Sequence, residues 1–113
     1  MWLALGEETI DNGCLMLLPG SHIQELDPAR LDAALFLRPE LPENQALIAT
    51  RAVASLAPGD VLFFHARTLH AAGRNITHAT KFSLVYTYRP DNNPPRAGSR
   101  SCANKEIVLN SLT

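Results

Sequence analysis

The sequence predicts an all-β domain with one short helix, arranged as part of a jelly roll. Short apolar runs of strand length, such as residues 14–18 and 61–64, are separated by turn residues along the chain. Residues 81–88 alternate in a pattern typical of a strand with two different faces. A complete jelly roll has roughly eight strands in two sheets. The chain has fewer strand-like segments than that, so we expect only part of one.

The composition fits a single folded domain. The 113 residues are 46% hydrophobic and 19% charged, which supplies enough apolar material for a core. The net charge is −1 and the basic residues are scattered, which argues against a nucleic-acid-binding surface. No apolar run is long enough to span a membrane, and no signal-peptide pattern follows Met1. We therefore expect a cytoplasmic protein with no nucleic-acid or membrane partner, and no disulfide between Cys14 and Cys102.

Two apolar runs open the chain. Residues 2–5 and 14–18 are predicted to be the strands of an antiparallel hairpin. The loop between them ends in Asp11-Asn12-Gly13, a strong turn signal because Asn and Gly tolerate positive φ. Both runs are continuously apolar, so we expect both faces of these strands to be covered, with Trp2 and Cys14 in the core.

The middle of the chain predicts the helix. Asp27 is typical of an N-cap and Pro28 of the first helical position, and the following residues predict a helix over 29–37. Residues 38–44 contain two prolines and predict a loop. Residues 46–56 mix apolar and polar side chains and predict a strand.

The second half of the chain predicts two further strands. A turn at residues 58–60 leads to the strand over 61–64, residues 71–80 predict a loop, and residues 81–88 predict a strand. One face of this last strand carries Lys81, Ser83, Val85 and Thr87, and the other carries Phe82, Leu84, Tyr86 and Tyr88. Residues 1–90 are thus expected to form the domain, and residues 91–113 an extended tail with a weak element at 107–109.

Five short motifs occur in a specific order. They are Trp2-Leu3-Ala4-Leu5, Asp11-Asn12-Gly13-Cys14-Leu15, Leu18-Pro19-Gly20-Ser21-His22, Pro58-Gly59-Asp60-Val61-Leu62-Phe63-Phe64 leading to His70, and Asn75-Ile76-Thr77. Together they resemble the phytanoyl-CoA dioxygenase family of Fe(II)- and 2-oxoglutarate-dependent oxygenases, from Trp2 to about Pro90. The resemblance implies a cupin-like double-stranded β-helix that holds iron with two histidines and one carboxylate. Three open positions on the metal then take 2-oxoglutarate and oxygen.

The resemblance gives roles to three residues of this sequence. His70 stands where the family's distal iron-binding histidine follows the Gly-Asp-apolar strand. Lys81 stands where a basic residue, usually arginine, binds the far carboxylate of 2-oxoglutarate, and Ser83 shares its strand face. Lysine offers a point charge in place of a two-pronged contact, so looser binding of the oxoacid is expected. The alternative for Lys81 is an ordinary surface lysine.

The family's other two iron ligands form a His-x-Asp pair upstream of the strand that residues 2–5 represent. Neither His-x-Asp nor His-x-Glu occurs in this sequence. We therefore expect a truncated oxygenase-like domain that is inactive alone. Two functions stay open. In one, His70 and Lys81 serve an oxygenase that hydroxylates a small organic substrate once a partner or missing segment supplies His-x-Asp. In the other, the chain is a non-catalytic small-molecule-binding or interaction module.

Other histidines and arginines are weaker candidates. His65 precedes His70 by five residues, and on an extended segment the two side chains point to opposite faces, so a shared metal site is not expected. His22 is expected to stabilise its turn or line the mouth of a pocket. Arg74 and Arg89 are the remaining candidates for anion contacts.

A partial jelly roll exposes strand edges, which recruit other strands. We expect such edges along residues 2–5. The sequence therefore predicts a homo-oligomer, most simply a dimer, or pairing with a complementing chain.

Overall fold

The structure is a computed structural model that describes residues 1–109. In this range the strands are β1 (Trp2–Ala4), β2 (Leu15–Leu17), β3 (Ala52–Ala54), β4 (Val61–Leu62), β5 (His70–Ala72) and β6 (Ser83–Val85). One α-helix, α1 (Pro42–Ala49), lies between β2 and β3, and single 3-10 turns form at Ser21–Ile23, Pro28–Arg30 and Arg100–Ala103. The prediction of a β-rich chain with one short helix is confirmed, although the helix lies elsewhere.

The strands form two three-stranded antiparallel sheets, with orders β4-β1-β6 and β3-β2-β5. The predicted hairpin is wrong, because β1 and β2 belong to different sheets and the loop between them carries the chain across. The predicted edge along residues 2–5 is also wrong, because β4 and β6 pair with both sides of β1. Within residues 1–109, the sheet edges are those of β3, β4, β5 and β6.

A backbone bridge fixes the place where the chain crosses between sheets. The Glu8 amide donates to the Leu56 carbonyl at 2.8 Å, and the Leu56 amide donates back to the Glu8 carbonyl at 3.1 Å. Glu8 lies between β1 and β2, and Leu56 lies between β3 and β4. The two crossings therefore run side by side and support each other.

The helix predicted over residues 29–37 is wrong. Asp27 does act as a cap, since its carboxylate accepts the Ala29 amide at 2.8 Å, but only the turn Pro28–Arg30 follows. The Asp32 carboxylate then accepts hydrogen bonds from the backbone amides of Ala34 and Phe36 and closes a tight turn. These side-chain hydrogen bonds replace helical ones, so the helix ends after one turn.

The α-helix instead forms in residues predicted to be loop and strand. Pro42 occupies its first turn, where a missing amide proton is tolerated, and Glu43 lies near the positive end of the helix dipole. The Asn44 side chain is buried and donates to the carbonyls of Arg30 and Arg38, which fixes the helix to the preceding loop. The apolar residues of α1 are consecutive in sequence, so their spacing gave no helical period.

The apolar core is small. Among the described residues the buried hydrophobic side chains are those of Ala4, Cys14, Leu15 and Leu18. The expected core position of Cys14 is confirmed, and both Cys14 and Cys102 are free thiols. The radius of gyration is 16.2 Å, against about 13 Å for a compact chain of this length. The chain is therefore more spread out than a domain closed around one core.

One face of the first sheet is apolar and exposed. Leu3 pairs in register with Val61 and Leu84, so these side chains share a face, and the hydrogen bond from the Leu5 amide to the Phe82 carbonyl extends it. We call these five residues the outer face: Leu3, Leu5, Val61, Phe82 and Leu84. All of them except Leu3 are exposed. The expectation that both faces of residues 2–5 are covered is therefore wrong in the part of the chain that the structure describes.

The tail after the last strand contains one short turn. Arg89 makes a two-pronged ion pair with Glu106. This contact holds the tail close to the residues that follow β6. Arg89, a candidate for anion contacts, is thus engaged within the chain. Residues 107–109 form no strand, and residues 110–113 of the predicted tail lie outside the described residues. Across residues 1–109, the structure has no helix that is long and apolar enough to cross a bilayer.

Replacing Gly13 by Ala tests the close approach between the segment before β2 and Gly73, which directly follows the paired strand β5. Gly13 has φ +81°, and an added Cβ would lie 2.5 Å from the Gly73 carbonyl oxygen. Gly20 has φ +74° but no atom within 4 Å of its added Cβ, so Gly20→Ala is the matched control. Both variants incur left-handed backbone strain of about 1–2 kcal/mol. We expect Gly13→Ala to lose clearly more stability in urea unfolding, and equal losses would contradict the close contact.

Candidate functional site

A buried carboxylate lies at the centre of the site. The Glu8 side chain is 0% exposed. Its Oε1 accepts hydrogen bonds from the Trp2 indole N–H at 2.8 Å and from the Ser83 hydroxyl at 2.6 Å. Its Oε2 accepts from the Lys81 ammonium at 3.2 Å. Three different donors therefore converge on one carboxylate that has no contact with solvent.

The first sheet positions these donors. Ala4 pairs in register with Ser83, and Trp2 lies two residues from Ala4 on the same face, opposite the outer face. Lys81 precedes Ser83 by two residues, and its ammonium lies 5.0 Å from the centre of the Trp2 ring, within the range of a cation–π contact. Lys81 and Ser83 were predicted to share a face, and their common contact with Glu8 agrees with that alternation.

Electrostatic effects keep Glu8 ionised. Burial of the carboxyl group by itself raises its pKa, but hydrogen bonds from Ser83, Trp2 and Lys81, together with the Lys81 charge, outweigh burial. The net result is a pKa below the ordinary value of 4.5. Cys14 shows the opposite outcome, since burial raises the pKa of its thiol despite the nearby Lys81 charge. Cys14 is therefore a buried, protonated thiol rather than a nucleophile.

The loop around Glu8 is held by Asn12. The Asn12 side-chain oxygen accepts the Thr9 amide at 2.8 Å, and its side-chain nitrogen donates to the Glu7 carbonyl at 2.7 Å. These bonds fix the backbone on both sides of Glu8, in addition to the bridge to Leu56. Asn12 is thus a turn former here, and the turn holds the carboxylate in place.

His70 begins β5 and is oriented by one hydrogen bond. Its Nδ1 lies 2.7 Å from the Thr68 carbonyl oxygen, and since a carbonyl only accepts, Nδ1 carries the proton. The Phe64 ring packs edge-on against the imidazole at 5.0 Å between centroids. In the part of the chain that the structure describes, no hydrogen bond reaches Nε2, and the residue is exposed. The imidazole is therefore fixed with its basic nitrogen available.

Ser21 ties the Pro-Gly-Ser-His turn to the segment before His70. Its side chain is 3% exposed, donates to the Leu18 carbonyl at 2.7 Å and accepts the Leu69 amide at 2.8 Å. His22, by contrast, contacts the ring of His65 at 5.3 Å between centroids. The turn thus positions His70 through Ser21, which the sequence analysis did not single out.

Two open depressions lie beside Lys81. One has a volume of about 460 Å³ and is lined by residues that include Gly6, Thr80, Lys81 and Phe82. The other, about 490 Å³, also includes Thr80 and Lys81. The Lys81 side chain is 14% exposed and lines both depressions, so it lies between them and the buried Glu8 carboxylate.

The described residues do not fit the iron site that the resemblance implies. Among residues 1–109, no three His, Cys, Asp or Glu side chains lie close enough together to hold a metal ion. His70 has the geometry of a single ligand, but one imidazole does not make a binding site for catalytic iron.

The donors implied for 2-oxoglutarate fit one carboxylate, and that carboxylate belongs to Glu8. Lys81 and Ser83 both contact it. An oxoacid carboxylate at the same donors would place two like charges on one ammonium group, which is unfavourable where water is excluded. The assignment of Lys81 and Ser83 to 2-oxoglutarate stays a prediction. Sequence reasoning missed Glu8, and its polar neighbours gave no signal of burial.

Replacing Glu8 by Gln is expected to lower the free energy of unfolding at pH 7 by about 1.5–3 kcal/mol, because the charged hydrogen bonds are lost. The folded state holds the pKa of Glu8 below 4.5. Its stabilising effect is therefore complete above the unfolded-state pKa and is lost as the pH falls through the folded-state pKa. Urea unfolding at several pH values should show the difference between wild type and variant shrinking on acidification.

The control for this experiment is Glu7→Gln, at an exposed neighbouring position. We expect it to match the wild type at every pH. A Glu8→Gln deficit that stays constant down to pH 3, or one that Glu7→Gln reproduces, would contradict the role given to the buried carboxylate.

Comparison with known proteins agrees with the motifs. The sequence model of the phytanoyl-CoA dioxygenase (PhyH) family matches residues 1–83. The dioxygenase lolE1 of Epichloe uncinata is 31% identical over 108 residues, covering 93% of this chain and 38% of that protein. The peroxisomal phytanoyl-CoA dioxygenase of Homo sapiens is 30% identical over 90 residues, covering 74% of this chain and 25% of that protein.

A probable phytanoyl-CoA dioxygenase of Caenorhabditis elegans is 27% identical over 93 residues, covering 80% of this chain and 30% of that protein. The chain therefore spans less than half the length of these curated relatives. No solved structure matches it with statistical significance. The family model covers most of the chain, and this chain therefore belongs to the phytanoyl-CoA dioxygenase family.

Proposed function

We propose that this chain derives from an Fe(II)- and 2-oxoglutarate-dependent hydroxylase of small organic substrates and does not catalyse hydroxylation by itself. The observation that carries the proposal is the surroundings of His70. The imidazole is held by a hydrogen bond to the Thr68 carbonyl, yet no group of three His, Cys, Asp or Glu side chains that could hold a metal ion occurs among residues 1–109. The reaction class follows from family membership. The expected inactivity follows from the lack of a three-ligand metal group among the described residues.

The strand order supports a place in a double-stranded β-helix. Successive strands are distributed between the two sheets, with β1, β4 and β6 in one and β2, β3 and β5 in the other. The chain crosses between the sheets after β1, β3, β4 and β5. Repeated crossing of this kind is what winds two facing sheets into a jelly roll. We propose that residues 1–90 correspond to the part of that fold that carries the distal histidine.

His70 is the residue that this chain would contribute to an iron centre. Its protonated Nδ1 donates to a backbone carbonyl, which is the usual partner of a metal-binding histidine and leaves Nε2 for the metal. A metal bound there would need a further imidazole and a carboxylate, the His-x-Asp pair, from outside the described residues. When bound in such a centre, iron supplies the activation of oxygen.

A second function, that of an interaction module, is favoured by the apolar outer face. Leu5, Val61, Phe82 and Leu84 lie exposed together on one side of the first sheet. The edge of β6 lies beside this face and is unpaired within the described residues. Two copies of an antiparallel edge strand pair with themselves across a two-fold axis, which makes a symmetric dimer the simplest partner.

The catalytic proposal predicts no oxygenase turnover by the isolated chain. The purified protein, given Fe(II), a reductant and 2-oxoglutarate, is expected to form no more succinate than His70→Ala does. His78→Ala, at an exposed histidine, serves as the matched control. Iron-dependent succinate formation that His70→Ala abolishes and His78→Ala keeps would refute the proposed inactivity.

The interaction proposal predicts a dimer in light scattering at micromolar concentration. Phe82 is 65% exposed on the outer face, and Ile10 is 67% exposed in the loop after β1 and is not one of the outer-face residues. Phe82→Ser is expected to shift the equilibrium toward monomer, because it removes apolar area from the interface. Ile10→Ser is expected to leave the dimer unchanged. A wild-type monomer, or equal effects of the two substitutions, would contradict this association.

A further inference from the structure

We propose that Glu8 is a tethered carboxylate ligand: it occupies a carboxylate-binding site formed by Trp2, Lys81 and Ser83 and keeps free carboxylates such as 2-oxoglutarate out of it. Glu8 occupies these donors whether or not the chain catalyses any reaction.

The three donors form a binding site assembled by the fold rather than a chance contact at the surface. Lys81 and Ser83 are 73 and 75 residues from Glu8 in sequence, so only the folded sheet brings them to it. Both carboxylate oxygens have partners, and the indole, hydroxyl and ammonium approach from different groups of the protein. Such charge-assisted hydrogen bonds are the ones by which proteins usually bind carboxylates. The site is therefore specific for a carboxylate, and Glu8 provides it.

The charge balance excludes a second carboxylate. Lys81 is the one cation that contacts Glu8 among the described residues, and their charges cancel. A free carboxylate at the same donors would meet the Glu8 charge without a further cation to offset it, in a place where Glu8 is 0% exposed. Binding of an oxoacid therefore requires Glu8 to leave.

Glu8 is held too firmly to leave easily. Its backbone is fixed by the bridge to Leu56, with bonds of 2.8 and 3.1 Å, so its side chain is already at the donors. A ligand attached to the protein competes at an effective concentration in the millimolar range or above. A free carboxylate with ordinary affinity does not displace it at lower concentrations. Removing the Glu8 side chain would open the donors to the adjoining depression of about 460 Å³, which Lys81 lines.

The experiment is chemical rescue of Glu8→Ala by free carboxylates. Sodium acetate and 2-oxoglutarate are the probes, and sodium chloride at equal ionic strength is the reference. Glu8→Ala is expected to melt below the wild type and to recover by a few degrees at about ten times the dissociation constant of the probe. Wild type and Glu7→Ala are expected to respond to the carboxylates no more than to chloride. The double variant Glu8→Ala/Lys81→Met is expected to show no rescue.

A folded Glu8→Ala that responds to acetate only as it does to chloride would overturn the proposal. So would a saturable response in the wild type equal to that of the variant. These outcomes are separate from the turnover assay, because melting reports occupancy of the donors and needs neither iron nor chemistry.

A second readout covers the case in which Glu8→Ala does not fold. Trp2 is the only tryptophan in the chain, and its indole N–H contacts Glu8, so its fluorescence reports on this site alone. In the folded wild type, millimolar 2-oxoglutarate is expected to leave this fluorescence unchanged. In Glu8→Gln, whose neutral amide loses the charge-assisted hydrogen bonds, 2-oxoglutarate is expected to displace the side chain from the donors and give a saturable change. A saturable change in the wild type that Lys81→Met removes would overturn the tethered-ligand proposal.

Discussion

The contact between the buried Glu8 carboxylate and its three donors fixes the crossing between the two sheets to the first sheet. Glu8 lies where the chain crosses from the first sheet to the second, and its backbone bridges Leu56 at the return crossing. Its side chain reaches back to Trp2 and Ser83 on the inner face of the first sheet. Few apolar side chains are fully buried in residues 1–109. This polar contact is therefore one of the main interactions that hold the loop after β1 against the first sheet.

Removing Glu8 alone leaves its buried donors unpaired and costs stability, whereas the complete contact, compared with an apolar replacement, mainly adds specificity. A buried ion pair is desolvated at a cost that its attraction only partly offsets, and apolar replacements are often no less stable. The Glu8 contact, however, is satisfied only in one register. A slip of β6 by one residue against β1 would move Ser83 to the outer face and bring Leu84 to the carboxylate. The register of the first sheet is thus determined by a polar group, while its apolar side chains, exposed on the other face, constrain it weakly.

The sequence predicted what depends on local pattern and missed what depends on distant contacts. Apolar runs located β1, β2 and β4, and alternation located β6, but β5 contains His-Ala-Ala and exists because β2 offers it a partner. The helix was misplaced because a local Asp32 turn stops it in one segment and the buried Asn44 supports it in another. Alternation placed Lys81 and Ser83 on one face, yet a glutamate in a polar stretch is ordinarily exposed. Two of the three donors to the buried Glu8 carboxylate, Lys81 and Ser83, lie more than seventy residues away in sequence.

The geometry of the Glu8 carboxylate suits a lysine at position 81 better than an arginine. The resemblance to the family implies arginine at position 81, whose planar fork requires a carboxylate to approach in one plane with both oxygens. The Glu8 carboxylate does not meet that condition, since its Oε1 is shared by Trp2 and Ser83 and only Oε2 faces the cation. A point charge on a flexible stem satisfies a single oxygen and stacks over the Trp2 ring at the same time. A lysine at position 81 therefore suits a carboxylate that offers it one oxygen, and the charge at the site is balanced within the chain.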